Sequence, residues 1–279
     1  LLIQKLQCLI TALKAESEPF IHHLKLEKDN SFDFPCFINQ RLNVELIGVG
    51  VGKKKIESRI CDYLKSKSHE IVQFINIGVA GGNKDKTNIG ELFLINEIHD
   101  ENSTQKYYPD ILIDHDMTES SITTVENPIH DGGKKYDTLV DMEAHEIFSI
   151  CSKFVPNHNI AIIKLVSDYM SGHESFPKPS TVSELFIEKM DEIIHFINQF
   201  KLIDKMITPI LFEKDMVWVK NAKKKYLLTV SQVDQLIKYA KGYRLRNNEN
   251  PLPELEIQTP KTKKNQKDTF NFIREKLKT

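Results

Sequence analysis

The chain has 279 residues, of which 40% are apolar and 28% charged, with a formal charge of −1. That balance excludes a fibrous or wholly disordered protein and leaves room for one large or two modest packed domains. Its four cysteines, Cys8, Cys36, Cys61 and Cys151, lie far apart with no Cys-x-x-Cys pair. This argues against a zinc site or a disulfide framework and for reduced thiols in a cytoplasmic protein.

Residues 1–13 are apolar enough to suggest a secretory leader. Lys5 interrupts them, however, and no small-residue cleavage site precedes Lys14 and Glu16. A buried first strand over 7–13 is the better expectation. No stretch approaches the ~20 apolar residues of a membrane helix, so no membrane partner is expected. Residues 32–38 and 44–49 are β-rich on either side of Asn39-Gln40-Arg41-Leu42-Asn43, which predicts a hairpin and therefore a mixed sheet. Apolar residues over 56–64 recur at helical spacing. Strand-length runs follow at 71–77 and 91–98, then a helix over 143–154. The run over 160–166 (IAIIKLV) lacks polar alternation, as suits a strand covered on both faces. A long helix is expected over 184–200, with Leu185, Ile187, Ile193, Ile194 and Ile197 inward. This alternation predicts an α/β fold for residues 1–205, three-layer α/β/α with a central mixed sheet.

Past residue 212 the composition changes. Residues 213–279 carry 16 Lys/Arg against 8 Asp/Glu, a net of +8, leaving −9 for the rest of the chain. This marks a separate basic appendage and leaves nucleic acid open as a partner through that tail, although a solvated basic face is the plainer reading. Within it, 216–220 and 225–229 read as a short hairpin. Ser231 reads as the N-cap of a helix that Gly242 ends, 247–267 as a Pro-containing linker, and 268–277 as a last helix.

Chemistry-bearing residues collect at strand ends, where a parallel-type sheet places its sites. They are Glu16, the glycines of Gly48-Val49-Gly50-Val51-Gly52-Lys53 and of Gly78-Val79-Ala80-Gly81-Gly82, the carboxylates of Val140-Asp141-Met142-Glu143-Ala144, and Ser167-Asp168. Each alone has a plain alternative: Glu16 and Glu143 as first-turn helix charges, Asp168 as an N-cap, the glycines as turn residues. Their joint order carries more. Ala12-Leu13-Lys14-Ala15-Glu16, Gly50-Val51-Gly52-Lys53, Asn76-Ile77-Gly78-Val79-Ala80-Gly81-Gly82, Gly90-Glu91, Val140–Ala144 and Ser167-Asp168 together resemble the nucleoside phosphorylase superfamily, in particular its 5′-methylthioadenosine/S-adenosylhomocysteine nucleosidases, across residues 7–200.

The resemblance implies a homodimeric hydrolase that takes a small nucleoside and needs no cofactor or metal. Asp168 would be the general acid to the base and Glu16 would position the attacking water. Glu143 would bind the ribose hydroxyls, and Met142 would pack on the sugar or base. Val79, Ser167, Phe176 and Ile129 would complete the pocket, and His173 lies in the loop expected to cover it. The aspartate at 168 favours a 6-aminopurine. The lack of an arginine ahead of the glycine segment, and of a hydroxyl at Val79, argues against phosphate binding. The chain departs from the family pattern at Val79, at Lys164 (an arginine usually precedes Ser-Asp there) and in its short 99–140 segment. Three readings follow: an adenine-nucleoside hydrolase, an enzyme of another nucleoside, and a degenerate binding module reached through the basic tail.

Overall fold

Strand β1 (Leu6–Thr11, LQCLIT) is buried at every position, as a strand covered on both faces must be. It pairs in parallel with β4 (Val44–Gly48) on one side and β5 (Val72–Gly82) on the other. The structure is a computed structural model that describes residues 6–67, 72–172, 176–203, 210–247, 250–260 and 262–278. Beyond β4, β3 (Cys36–Asn39) and β2 (Glu27–Lys28) extend the sheet antiparallel, so the expected hairpin is present.

β5 organises the other half. Its body pairs in parallel with β10 (Ile160–Asp168), and its last two residues pair antiparallel with β9 (Leu139–Asp141). From β9 the sheet passes through β8 (Thr118–Thr124) and β6 (Leu92–Asp100) back to β10, closing a ring of five strands. The short β7 (Lys106–Tyr107) is attached to β6. On one face, α2 (Lys53–Ser66) and α3 (Ala144–Cys151) bury Ile56, Ile60, Tyr63, Ile147 and Phe148. On the other, α1 (Lys14–His23), α4 (Pro179–Glu188) and α5 (Met190–Phe200) bury Phe20, Phe186, Ile193 and Phe196. The result is the mixed α/β/α architecture.

Local differences have local causes. The helix expected over 184–200 is two, α4 and α5, meeting at Lys189. The break lets Val182 and Phe186 on α4 and Ile193, Phe196 and Ile197 on α5 each form an inward stripe, and Ile187, expected inside, is 61% exposed. Gly78–Gly82 is not a turn but the end of β5.

The chain divides into two compact units, Leu1–Asp204 and Lys205–Thr279. The second has its own core, built by α6 (Glu213–Tyr226), α7 (Val230–Arg246) and α8 (Lys263–Lys278) around Val219, Tyr226, Leu236, Ile273 and Leu277. The hairpin expected over 216–229 is therefore mostly helix. Val219, Ala222 and Tyr226 recur at helical spacing toward the core, and this outweighs the strand propensity of Val217-Trp218-Val219. The cap of α7 is Thr229, not Ser231, with its hydroxyl accepting from the Gln232 N–H. Gly242 does not end α7, because the helix must continue to present Arg244 to Asp215. The last helix begins at Lys263, five residues before the expected start at 268.

Asp215 accepts from Arg244 Nε at 2.9 Å and Nη2 at 3.0 Å, with both side chains buried, and also from the Phe212 N–H at the start of α6. Removing one partner of such a pair leaves an uncompensated buried charge. Asp215→Ala is expected to cost about 3 to 5 kcal/mol, read by urea unfolding through Trp218, the single tryptophan of the chain. A loss under about 1 kcal/mol would show that the pair is not what orders this unit.

Candidate active site

Where β1 runs into α1, the backbone N–H groups of Ala12 and Leu13 face the helix start without a strand partner. Glu16, in the first turn, folds back and takes both through Oε2 at 2.8 Å. Its Oε1 accepts the Val79 N–H at 2.9 Å, which ties α1 to β5. This approach favours glycine at 78: a Cβ there would lie 3.1 Å from both Glu16 Oε1 and Lys164 Nζ, a tight contact for each. Glu16 is 2% exposed. Burial pushes its carboxyl up, opposed by the backbone N–H groups and the Lys164 ammonium.

At the β9–α3 junction, Asp141 is saturated. Oδ1 accepts the Thr124 hydroxyl at 2.7 Å, and Oδ2 accepts the Ala144 N–H at 2.8 Å and the Lys164 ammonium at 2.8 Å. Two residues on, Glu143 is half-buried beside this pair. Burial, together with the Asp141 charge, pushes its carboxyl up to about 8, against the pull of Lys164. Lys164 belongs to β10 and is 1% exposed. Burial alone would push its ammonium down; the charges of Asp141, Glu143 and Glu16 more than reverse this and hold it above the usual lysine range.

At the end of β10, Asp168 lies opposite Gly81 across an irregularity in the strand. The Ser167 hydroxyl donates to its Oδ2 and the Met170 N–H to its Oδ1, both at 2.8 Å. Of the three acids, Asp168 is half-buried and Glu16 is the deepest. The reason is positional: Asp168 stands at the strand exit, whereas Glu16 is drawn beneath β5 by its three N–H donors.

These groups line one cavity of about 310 Å³. All eight residues singled out from the sequence reach it: Glu16, Val79, Ile129, Met142, Glu143, Ser167, Asp168 and Phe176. Phe176 is 54% exposed. His173, expected in the covering loop, lies outside the described residues. Not singled out from the sequence were Leu13, Val51, Val125, Pro128 and Met170, which give the cavity its apolar walls, and the polar His130 and Asp141; Leu13, Val51 and Asp141 sit inside motifs quoted above. Lys164 had a legible signal, a lone cation in an otherwise apolar strand that burial forbids without a partner. Among the described residues, neither lysine nor arginine lines the cavity, and no group of three His, Cys, Asp or Glu side chains could hold a metal ion. No described helix is long and apolar enough to cross a membrane.

No protein-family model matches the sequence, and no curated protein matches it significantly. Solved structures do match in fold. The 5′-methylthioadenosine nucleosidase of Arabidopsis thaliana in its apo form is 14% identical, with a TM-score of 0.55 over 70% of this chain and 96% of its own. The MTAN of Chlamydia trachomatis matches in a structure bound to MTA, at 20% identity and a TM-score of 0.52, over 69% of this chain and 98% of its own. The same protein bound to adenine matches at 21% identity and a TM-score of 0.51, over the same shares. The chain has the nucleoside phosphorylase-like fold of these proteins.

The raised carboxyls have a consequence for stability. A carboxyl that holds its proton to higher pH when folded supports folding below its unfolded value and withdraws that support as pH rises through its folded value. For Glu143 the window runs from the ordinary carboxylate range to about 8, and Glu16 acts in the same direction. The melting temperature of the ligand-free protein should therefore fall between pH 6 and pH 8.5, and Glu143→Gln should flatten most of that fall. A flat or rising wild-type profile would contradict the arrangement.

Proposed function

We propose that this protein is a nucleosidase that hydrolyses the N-glycosidic bond of adenine nucleosides of the methylthioadenosine/S-adenosylhomocysteine type. The observation that carries the reading is the convergence of Glu16, Glu143 and Asp168, from three separate elements, on one apolar cavity lined by no lysine or arginine among the described residues. A fold shared with methylthioadenosine nucleosidases supports it.

Breaking the glycosidic bond builds positive charge on the ribose and leaves electrons on a poor leaving group. Asp168, oriented by Ser167 and the Met170 N–H, stands at the strand exit, where a purine can approach its free edge. Its proton passes to N7 as the bond to C1′ breaks, so that neutral adenine leaves. Glu143 accepts from the ribose hydroxyls through its carboxyl oxygens, and those oxygens stabilise the cationic sugar as it forms. Glu16, more basic than an ordinary carboxylate because it is buried, takes the proton of the water that adds to C1′. The products are adenine and a free sugar. A phosphate nucleophile would meet carboxylates instead of the cations it needs, which favours water. The apolar surface of Leu13, Val51, Ile129 and Met142 suits a thioether at the 5′ position.

Asp168→Asn keeps the shape of the acid and removes its transferable proton. Turnover of methylthioadenosine should fall by ~10² to 10⁴, with much weaker effects on binding, because the protonated leaving group exists only near the transition state. Adenine release followed by chromatography, with and without phosphate, checks this. Phosphate should change neither the rate nor the free-sugar product. A wild type that releases no base from any purine or pyrimidine nucleoside would remove the enzymatic reading.

A further inference from the structure

Lys164 does not line the cavity, yet Asp141, which does, pairs with it, and the charges of Glu143 and Glu16, which also line the cavity, act on it. We propose that Lys164 is the positioning residue of this site: without touching substrate, its buried ammonium holds the carboxylates of β9, the β9–α3 junction and α1 together around the cavity. The inference rests on the nucleosidase reading for its kinetic part only.

The geometry supports it from several sides. Lys164 Nζ is 2.8 Å from Asp141 Oδ2, with the two side chains 2% and 1% exposed. The same ammonium and Glu16 Oε1 share the space that a Cβ on residue 78 would fill, each 3.1 Å from its ideal position. Asp141 also receives Thr124 and the Ala144 N–H, so the cation fixes the start of α3 and, through it, Glu143. The titratable groups facing Lys164 are Asp141, Glu143 and Glu16, with Asp168 farther along the same strand. Two buried carboxylates and a half-buried one near a single ammonium cannot all ionise freely, and Glu143 is the one whose carboxyl is pushed up to about 8. Removing the positive charge would raise Glu143 and Glu16 further, because the Lys164 ammonium opposes the rise in both. The water-activating group would then hold its proton to higher pH.

The test compares Lys164→Gln, which keeps a donor to Asp141 but no charge, with Lys164→Arg, which keeps the charge. The acid limb of kcat/KM in Lys164→Gln should move up by about one pH unit or more, cutting activity near pH 7 about tenfold or more and recovering it as pH rises. Lys164→Arg should hold the wild-type limb. A loss in Lys164→Gln that is equal at every pH would overturn the proposal, because it would show a merely structural role. A ligand-free readout separates this inference from the reaction assignment. Carbon-13 NMR titration of the glutamate carboxyls should show the Glu143 midpoint moving upward in Lys164→Gln and not in Lys164→Arg, whether or not any nucleoside is cleaved. An unmoved midpoint would overturn the proposal even in an active enzyme. If Lys164→Gln does not fold, the Lys164→Gln/Asp141→Asn pair, which removes both charges and so leaves neither unpaired, is compared with Asp141→Asn alone, because the Asp141 charge itself raises Glu143; the midpoint should lie higher in the pair than in the single variant. An unshifted midpoint there would again overturn it.

Discussion

A lysine ammonium that is 1% exposed in an apolar strand stays charged only if a carboxylate accompanies it into the interior. The pair of Lys164 and Asp141 meets that requirement, and much of the site follows from it. β10, which carries the lysine, and the β9–α3 junction, which carries the aspartate, touch through this contact although they are not adjacent in the sheet. With Asp141 fixed, α3 begins at Ala144, and Glu143 just before it lies in the field of the same cation. Buried pairs of this kind are weak evidence for stability, since hydrophobic replacements often do as well. What this pair supplies is charge at a defined place within a cluster of acids.

The second constraint is the double life of β5. One strand pairs with β1, β10 and β9, so its residues are approached from both edges and both faces. Side chains would obstruct that crowding at its far end. Glycine at 78 admits Glu16 and Lys164, glycine at 81 admits Met170, and glycine at 82 admits Thr87 and Val166. The ring through β9, β8, β6 and β10 then places the ends of β1, β5, β9 and β10 near one another, and the cavity forms among them.

Much of this was legible in the sequence where local pattern and tertiary role agree. The apolar run over 160–166 in β10, interrupted only by Lys164, announced a doubly covered strand, and the helical spacing of Ile56, Ile60 and Tyr63 announced α2. Residues at strand ends were sound candidates because strand ends meet in an α/β sheet. Other features had no local signal. Closure of the ring depends on pairings such as Ile163 with Leu94, separated by a long stretch of chain, and no nearby residue encodes them. The glycines at 78, 81 and 82 looked like turn punctuation, because glycine marks both turns and close packing and sequence alone does not separate the two. In the second unit, Val217-Trp218-Val219 has strand propensity, and its helical form is decided by the core that Val219 and Tyr226 join. Glu16 was legible as a first-turn acid, but its burial was not, because its depth is set by Val79, 63 positions away.

The most direct test of the whole account is a crystal structure of the Asp168→Asn protein with methylthioadenosine bound. The account predicts the nucleoside in the 310 Å³ cavity, with N7 within hydrogen-bond distance of the side chain at position 168, the ribose hydroxyls on Glu143, a water between Glu16 and C1′, and no ligand atom in contact with Lys164. A nucleoside bound with its base away from position 168, or its ribose away from Glu143, would contradict it.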